Sequence, residues 1–227
     1  MKRLSVLFVS ALIGLTANAQ VFVGGNIGYI HDSGTDTYSV GSSKFRTGNG
    51  FTIGPEVGYR FNEKWTAGLS VIYAPSFSRG IRTEEPSVLE NLKQWTNRWD
   101  FSAFGRYSVW GAKGFNVCLQ GELMASVFNR SNTSSFEEAV GSDNESSMKG
   151  LDLGIQFYPV LTYDISKHLT AVAKLNLLGA VFQWEKITTT DSSVSINDTQ
   201  TTTRYSRYFL LNLNKSAEVQ FGIEYRF

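Results

Sequence analysis

The run Phe51-Thr52-Ile53-Gly54-Pro55-Glu56-Val57-Gly58-Tyr59-Arg60-Phe61 decides the fold. Phe51, Ile53, Val57, Tyr59 and Phe61 share one parity. Thr52, Gly54, Glu56, Gly58 and Arg60 hold the other. One face is apolar and aromatic, the other small, polar or charged. A period of two is that of a strand, whose successive side chains point to opposite faces.

The same period returns along the chain. Apolar faces run through Val21, Val23, Ile27 and Tyr29, and through Trp65, Leu69 and Tyr73. Others follow in 99–107, 115–127, 151–163, 169–181 and 219–227. That makes eight amphipathic strands, an even number of segments of about ten residues, as a transmembrane barrel requires. A soluble sandwich also alternates, and two further features separate them. Aromatics gather at the ends of the apolar faces, with Tyr59, Phe61, Trp65, Tyr107, Trp110, Phe115, Tyr163, Tyr225 and Phe227 at one end. Tyr29, Phe51, Tyr73, Trp99, Phe101 and Phe157 gather at the other. Such girdles mark the headgroup levels of a lipid-facing band. The connections also alternate between short (62–64, 111–114, 164–168) and long (32–47, 79–97, 129–149, 185–203). Long loops are unusual in a compact soluble domain, whereas outer-membrane barrels put short turns inside and long loops outside.

Residues 1–19 read as a secretory signal. Lys2 and Arg3 precede an apolar stretch from Leu4 to Leu15, then Ala17-Asn18-Ala19 offers a small-x-small cleavage site. Residues 20–227 are the barrel domain. No later run is long and apolar enough for a membrane helix. The chain has 227 residues, 21 Lys and Arg against 20 Asp and Glu, 2 His and 1 Cys. That balance argues against nucleic acid as a partner. The single Cys118 excludes a disulfide framework and a Cys-rich zinc site. No cofactor is expected.

The inward face carries its own chemistry. Glu56, Arg106, Glu122, Lys174 and Glu218 fall on it. An eight-stranded barrel is just wide enough for side chains to fill, so these charges must pair or meet water. Glu56 and Lys174 fall at similar depth and are expected in one interior polar network. Its functional version is a gate or narrow pore; the plainer one is interior packing. Pro55, Pro75 and Pro159 lie inside proposed strands, where each removes a ladder donor.

The stretch Ala217-Glu218-Val219-Gln220-Phe221-Gly222-Ile223-Glu224-Tyr225-Arg226-Phe227 resembles the C-terminal signature of bacterial outer-membrane barrels. With the strand quoted first and Trp65 after its turn, it is similar to the outer membrane protein beta-barrel domain family. These are the small OmpA/OmpX-like, porin-family proteins of the Gram-negative cell envelope. The resemblance implies that Phe221, Ile223, Tyr225 and Phe227 are read by the barrel-assembly machinery. It also implies lipid and lipopolysaccharide neighbours. It is weak for function, because this fold hosts adhesins, channels, structural proteins and a few enzymes. No peptidoglycan-binding domain follows the barrel before Phe227.

His31, Asp32 and Ser33 at one strand end invite comparison with the lipid-modifying barrel enzymes. Adjacent strand residues point to opposite faces and do not converge, so no catalytic residue and no enzyme is expected. Sequons at Asn129, Asn132, Asn144, Asn197 and Asn214 are chance matches in Ser/Thr/Asn-rich loops. Val88, Leu89, Leu92 and Trp95 after Pro86 suggest a short rim helix. The acidic loop with Glu137, Glu138, Asp143 and Glu145 matches no calcium-loop spacing and reads as solvated surface. Thr188–Thr190 and Thr201–Thr203 are expected to pair in a protruding hairpin with its tip near Asp191–Val194. Such a hairpin offers an edge to an extracellular protein or surface ligand. The expected role is therefore structural and adhesion-like. A narrow pore comes second, followed by a lipid-modifying enzyme and a soluble lipocalin-like ligand binder.

Overall fold

In the computed structural model the described residues are 20–37, 43–84, 88–136, 144–176, 179–192, 199–212 and 216–227. The signal segment 1–19 lies outside them, as do Pro86, Glu137, Glu138, Asp143, Val194 and the sequons' Asn197 and Asn214.

Eleven strands form one antiparallel sheet. They are β1 (Gln20–Thr37), β2 (Ser43–Arg60), β3 (Trp65–Tyr73), β4 (Ser76–Glu84), β5 (Val88–Ala112) and β6 (Phe115–Phe136). β7 (Asn144–Asp164), β8 (Leu169–Asn176), β9 (Gly179–Ser192), β10 (Thr199–Asn212) and β11 (Ser216–Arg226) follow. β3 and β4 both lie between β2 and β5, and so form one stave. β8 and β9 both lie along β7, with β11 and β10 on their other side. β11 returns to β1 from Phe22↔Arg226 to Asp32↔Ser216 and closes an eight-stave barrel.

The barrel is inside-out. Exposed large apolar residues include Ile27, Phe51, Leu69, Leu123, Ile155, Phe221 and Ile223, all in strands. The buried set is mostly polar, with Thr52, Ser70, Ser126, Gln120, Lys174 and Glu56 among it. Only a lipid surrounding makes that arrangement favourable, since a continuous bare apolar belt in water would be costly. A closed ladder also leaves no open sheet edge in hydrocarbon. Rings pair along the belt's edges: Trp65 with Tyr107 at 4.8 Å, Tyr59 with Phe61 at 5.0 Å, and Tyr73 with Trp99 at 4.8 Å.

Three interior phenylalanines lie over glycines on the neighbouring stave. Phe22 faces Gly58, Phe104 faces Gly68 and Phe128 faces Gly150 in the ladder register. A Cβ at any of these glycines would overlap the ring. The repeated pair fits a ring into a narrow lumen and packs the glycine's bare backbone.

Each proline sits at an irregularity of the ladder. Register is the same on either side of Ala74-Pro75, from Ile53↔Tyr73 to Gly50↔Ser76. Phe51 N–H donates to the Pro75 carbonyl at 3.2 Å, and the proline has no N–H to return. The β2–β3 ladder passes from Ile53↔Tyr73 to Glu56↔Ser70, skipping Pro55. Pro159 lies where β7 leaves β8 at Val160↔Lys174 and takes up β9 at Phe157↔Ala180. Three steps on β7 there match six on the facing chain.

The short turns follow their local chemistry. Asn62 Oδ1 accepts from Lys64 N at 2.8 Å and Trp65 N at 2.9 Å, an Asx turn. Lys113 and Gly114 both have positive φ, 50° and 82°, as a two-residue hairpin turn requires. A bulge between Ser108 and Trp110 reverses the parity of β5 there. Val109 and Trp110 are consequently both exposed, and Trp110 meets Phe115 in the girdle.

The expected long loops are largely strand. β1 and β2 pair up to Thr37↔Ser43, β4 and β5 up to Glu84↔Val88, and β6 and β7 up to Ser134↔Asn144. The expected rim helix is absent. Val88, Leu89, Leu92 and Trp95 belong to β5, opposite Glu84, Thr83, Gly80 and Phe77. The ladder with β4 satisfies every backbone group that a helix would satisfy, and it sends Leu92 and Trp95 to opposite faces. Asn129, Asn132 and Glu145 are likewise strand residues. Thr188 pairs with Thr203 and Thr190 with Thr201 as expected, but Asp191 and Ser192, expected at the tip, still pair with Gln200 and Thr199, so the hairpin runs further out.

Candidate functional site

Two regions carry polar groups that belong to neither belt nor ladder: the lumen, and the hairpins beyond the belt.

In the lumen Lys174 Nζ lies 2.6 Å from Glu56 Oε2, which also accepts from Asn26 Nδ2 at 2.8 Å. Arg106 Nη2 is 3.8 Å from Glu56 Oε1, while its Nη1 donates to Glu224 Oε1 at 2.6 Å. Arg106 Nε donates to Gln120 Oε1 at 2.8 Å. Gln120 Nε2 passes the chain to Glu122 Oε1 at 2.6 Å and to the Tyr158 hydroxyl oxygen at 2.9 Å. Tyr158 donates to Glu122, and Gln156 Nε2 donates to Glu122 Oε2 at 2.6 Å. Lys174 and Arg106 lie 5.6 and 5.4 Å from the Phe104 ring centroid, within cation–π range. Glu56, Arg106, Glu122, Lys174, Gln120, Tyr158 and Glu224 are all buried. This layer draws on β1, β2, β5, β6, β7, β8 and β11, so it spans the lumen.

Two cations and three carboxylates share the layer. Ion pairs cost desolvation, and the lumen returns it through short contacts and neutral amide and hydroxyl partners. Of the five inward charges expected together, Glu56, Arg106, Lys174 and Glu122 are connected, the last through Gln120. Glu218 is not in that chain. It accepts from Gln220 Nε2 at 2.7 Å. Glu224, Gln120, Tyr158, Asn26 and Gln156 complete the layer and were not singled out from sequence. Glu224 shares its parity with Glu218, and Gln120 with Glu122; parity was the only signal that pointed to them.

At the turn end, Arg226 binds Asp164 and Thr170, and Arg60 lies 4.0 Å from Asp164. A cavity of about 30 Å³ there, lined by Arg60, Arg106, Asp164, Glu224 and Arg226, has room for one water. His168 Nδ1 is 3.0 Å from the Arg226 carbonyl, and its ring stacks on Tyr225. His31 Nδ1 contacts Asn49 Oδ1 at 2.9 Å. Cys118 is buried with Tyr158, Val160 and Val172 as a small core residue. Among the described residues no group of three His, Cys, Asp or Glu is placed to hold a metal.

Beyond the belt the wall changes character. β1 pairs with β11 as far as Asp32↔Ser216; from Ser33 to Thr37 its one partner among the described residues is β2. β10 pairs with β9 alone among the described residues. Thr201 to Tyr205 are all exposed, on both faces of the strand. Trp184 stacks on Tyr205 at 6.4 Å, Lys186 lies over the same ring at 5.7 Å, and Thr188 and Thr203 hydroxyls are 3.3 Å apart.

No family model matches the chain, and no curated protein matches it. Solved structures do. A major outer membrane protein of Thermus thermophilus is 12% identical over 91% of this chain and 99% of its own, with a TM-score of 0.50. The outer membrane protein OprG of Pseudomonas aeruginosa is 16% identical over 93% and 96%, TM-score 0.47. Neisserial surface protein A is 16% identical over 92% and 99%, TM-score 0.38. At such identities the likeness is one of fold. Together with the exposed apolar belt, the Thermus likeness gives this chain the fold of a membrane-spanning β-barrel.

Proposed function

We propose that this barrel serves as a structural and surface-contact protein, and that it works through its projecting hairpins rather than its lumen. The observation that carries the reading is β10. Thr201 to Tyr205 are exposed on both faces, and among the described residues one edge of the strand has no partner. Unpaired strand edges are what proteins normally blunt, and an edge left open is suited to adding a partner's strand. The lumen, crossed by a buried bonded layer, favours no traffic. The outward Phe221, Ile223 and Tyr225 of β11, and Phe227 just after it, are bare, and we read them as the surface offered to the assembly machinery.

The test is on intact cells. A Cys placed at Thr202 should react with a membrane-impermeant maleimide, and removal of residues 186–205 should abolish attachment of expressing cells to a protein-coated surface. Attachment unchanged by that deletion overturns the reading.

A second reading is a gated pore. It is favoured by Arg106 facing both Glu56 and Glu224, two carboxylates between which it could switch. Planar-bilayer recordings separate the two. Steady conductance that changes in Lys174→Ala supports the pore; silence in both proteins supports the surface role.

A further inference from the structure

The outward face of the wall continues past the belt, and its register places three cations side by side. Leu153, in the lipid-facing belt, is opposite Trp184, which is opposite Arg207. One row further out Leu151 faces Lys186, which faces Tyr205; one row beyond that, Lys149 faces Thr188 and Thr203. Lys149, Lys186 and Arg207 therefore share one face of β7, β9 and β10. Each is a diagonal neighbour of the next, at a spacing of roughly 7–8 Å along such a sheet.

Among the described residues none of the three meets a carboxylate. The same face carries Arg79 directly opposite Lys93 on β4 and β5. In these three rows the charged residues on the outward face of β7, β9 and β10 are Lys149, Lys186 and Arg207; Glu145, on the same face of β7, lies two alternations further out. Like charges on adjacent staves repel, and an anion between them would relieve that repulsion. The aromatics fix the level. Trp184 and Tyr205 stack beside Leu153, as rings at a headgroup boundary do. The cations thus stand just where the hydrocarbon ends and the headgroups of the outer leaflet begin.

We propose that Lys149, Lys186 and Arg207, with Trp184 and Tyr205, form a binding site for a phosphorylated glycolipid of the outer leaflet. The cations would hold its phosphates and the rings would lie against its sugar. The proposal rests on the outer-membrane reading above and is independent of the hairpin's role in attachment.

The folded protein in phosphatidylcholine nanodiscs would be offered diphosphoryl lipid A or its dephosphorylated form, with retained lipid counted by native mass spectrometry. Wild type should retain the diphosphoryl form preferentially. Lys186→Gln or Arg207→Gln should each lower that retention about fivefold, and the triple Gln variant about a hundredfold. Lys186→Arg should keep it, as should Lys167→Gln at the turn end. Equal retention of both lipids by wild type, or undiminished retention by the triple variant, overturns the site. Displacement by inorganic phosphate at equal concentration assigns it to free phosphate and overturns the lipid. Heat-modifiable gel migration of each sample guards the premise: a protein that shows no shift fails as a barrel, whereas one that shifts but does not discriminate fails only here.

Discussion

The closed part of the wall and the hairpins beyond it are the same ladder under different rules. Between Phe22↔Arg226 and Asp32↔Ser216 every stave has two neighbours, its outer face is apolar and its inner face is buried and mostly polar. Beyond, β10 has one neighbour among the described residues, and Thr201 to Tyr205 are wet on both faces. Backbone pairing alone does not distinguish them; what differs is whether side chains have a dry face to cover. The closed part should therefore respond sharply to single substitutions and the hairpins hardly at all.

The largest effect should come from Glu56→Ala, which leaves Lys174 buried without its partner. Loss of one member of a buried pair costs about 3–5 kcal/mol, readable as a lowered urea midpoint in phospholipid vesicles. The double variant Glu56→Leu with Lys174→Met should recover most of it; if it does not, the layer is more than a paired charge. Backbone comes next. Val172→Pro in the closed wall should cost about 3 kcal/mol, because the ladder there cannot spare a donor. Gly58→Val should cost about 1–3 kcal/mol by displacing the Phe22 ring, measured in the same unfolding assay. A smaller change of opposite sign is expected of Arg79→Glu, which turns a facing like-charge pair with Lys93 into an attractive one, by about 0.2–1 kcal/mol. Smallest of all, Thr202→Pro in β10 should stay within about 0.5 kcal/mol and keep the gel shift. A hairpin proline as costly as Val172→Pro would erase the distinction.

What could be read in advance follows the same division. Wherever a stave touches lipid, an apolar residue recurs at every second position, and the alternation of Phe51 to Phe61 or Phe115 to Val127 is plain. Past the belt it vanishes. Asn129 to Ser134 has no dry face, so nothing in its composition separates strand from loop. That is why four long loops were expected where the ladder continues. Val88, Leu89, Leu92 and Trp95 suggested a helix because an apolar spacing on a wet strand answers to no buried face. Parity tells which side of the wall a side chain occupies, and Glu56, Lys174 and Glu224 could all be placed inward by it. Depth is a matter of register. Arg106 reaches Glu224 rather than Glu218 because of how β5 and β11 are staggered around the barrel, and no local pattern encodes that. Trp110 reaches the girdle only through the bulge at Val109.

The β1–β11 seam has a consequence in time. It joins Phe22–Asp32 to Ser216–Arg226, the two stretches farthest apart along the described chain. Every other seam can form between neighbours as they emerge. This one waits for both ends, so the wall stays open until the final strand arrives. Loss of β11 would strand β1 and β8 with raw edges rather than yield a smaller cylinder. Completeness is thus tested by the last step of folding itself, and a chain interrupted anywhere before Ser216 should be recognisable by its failure to resist SDS, however much sheet it has already made.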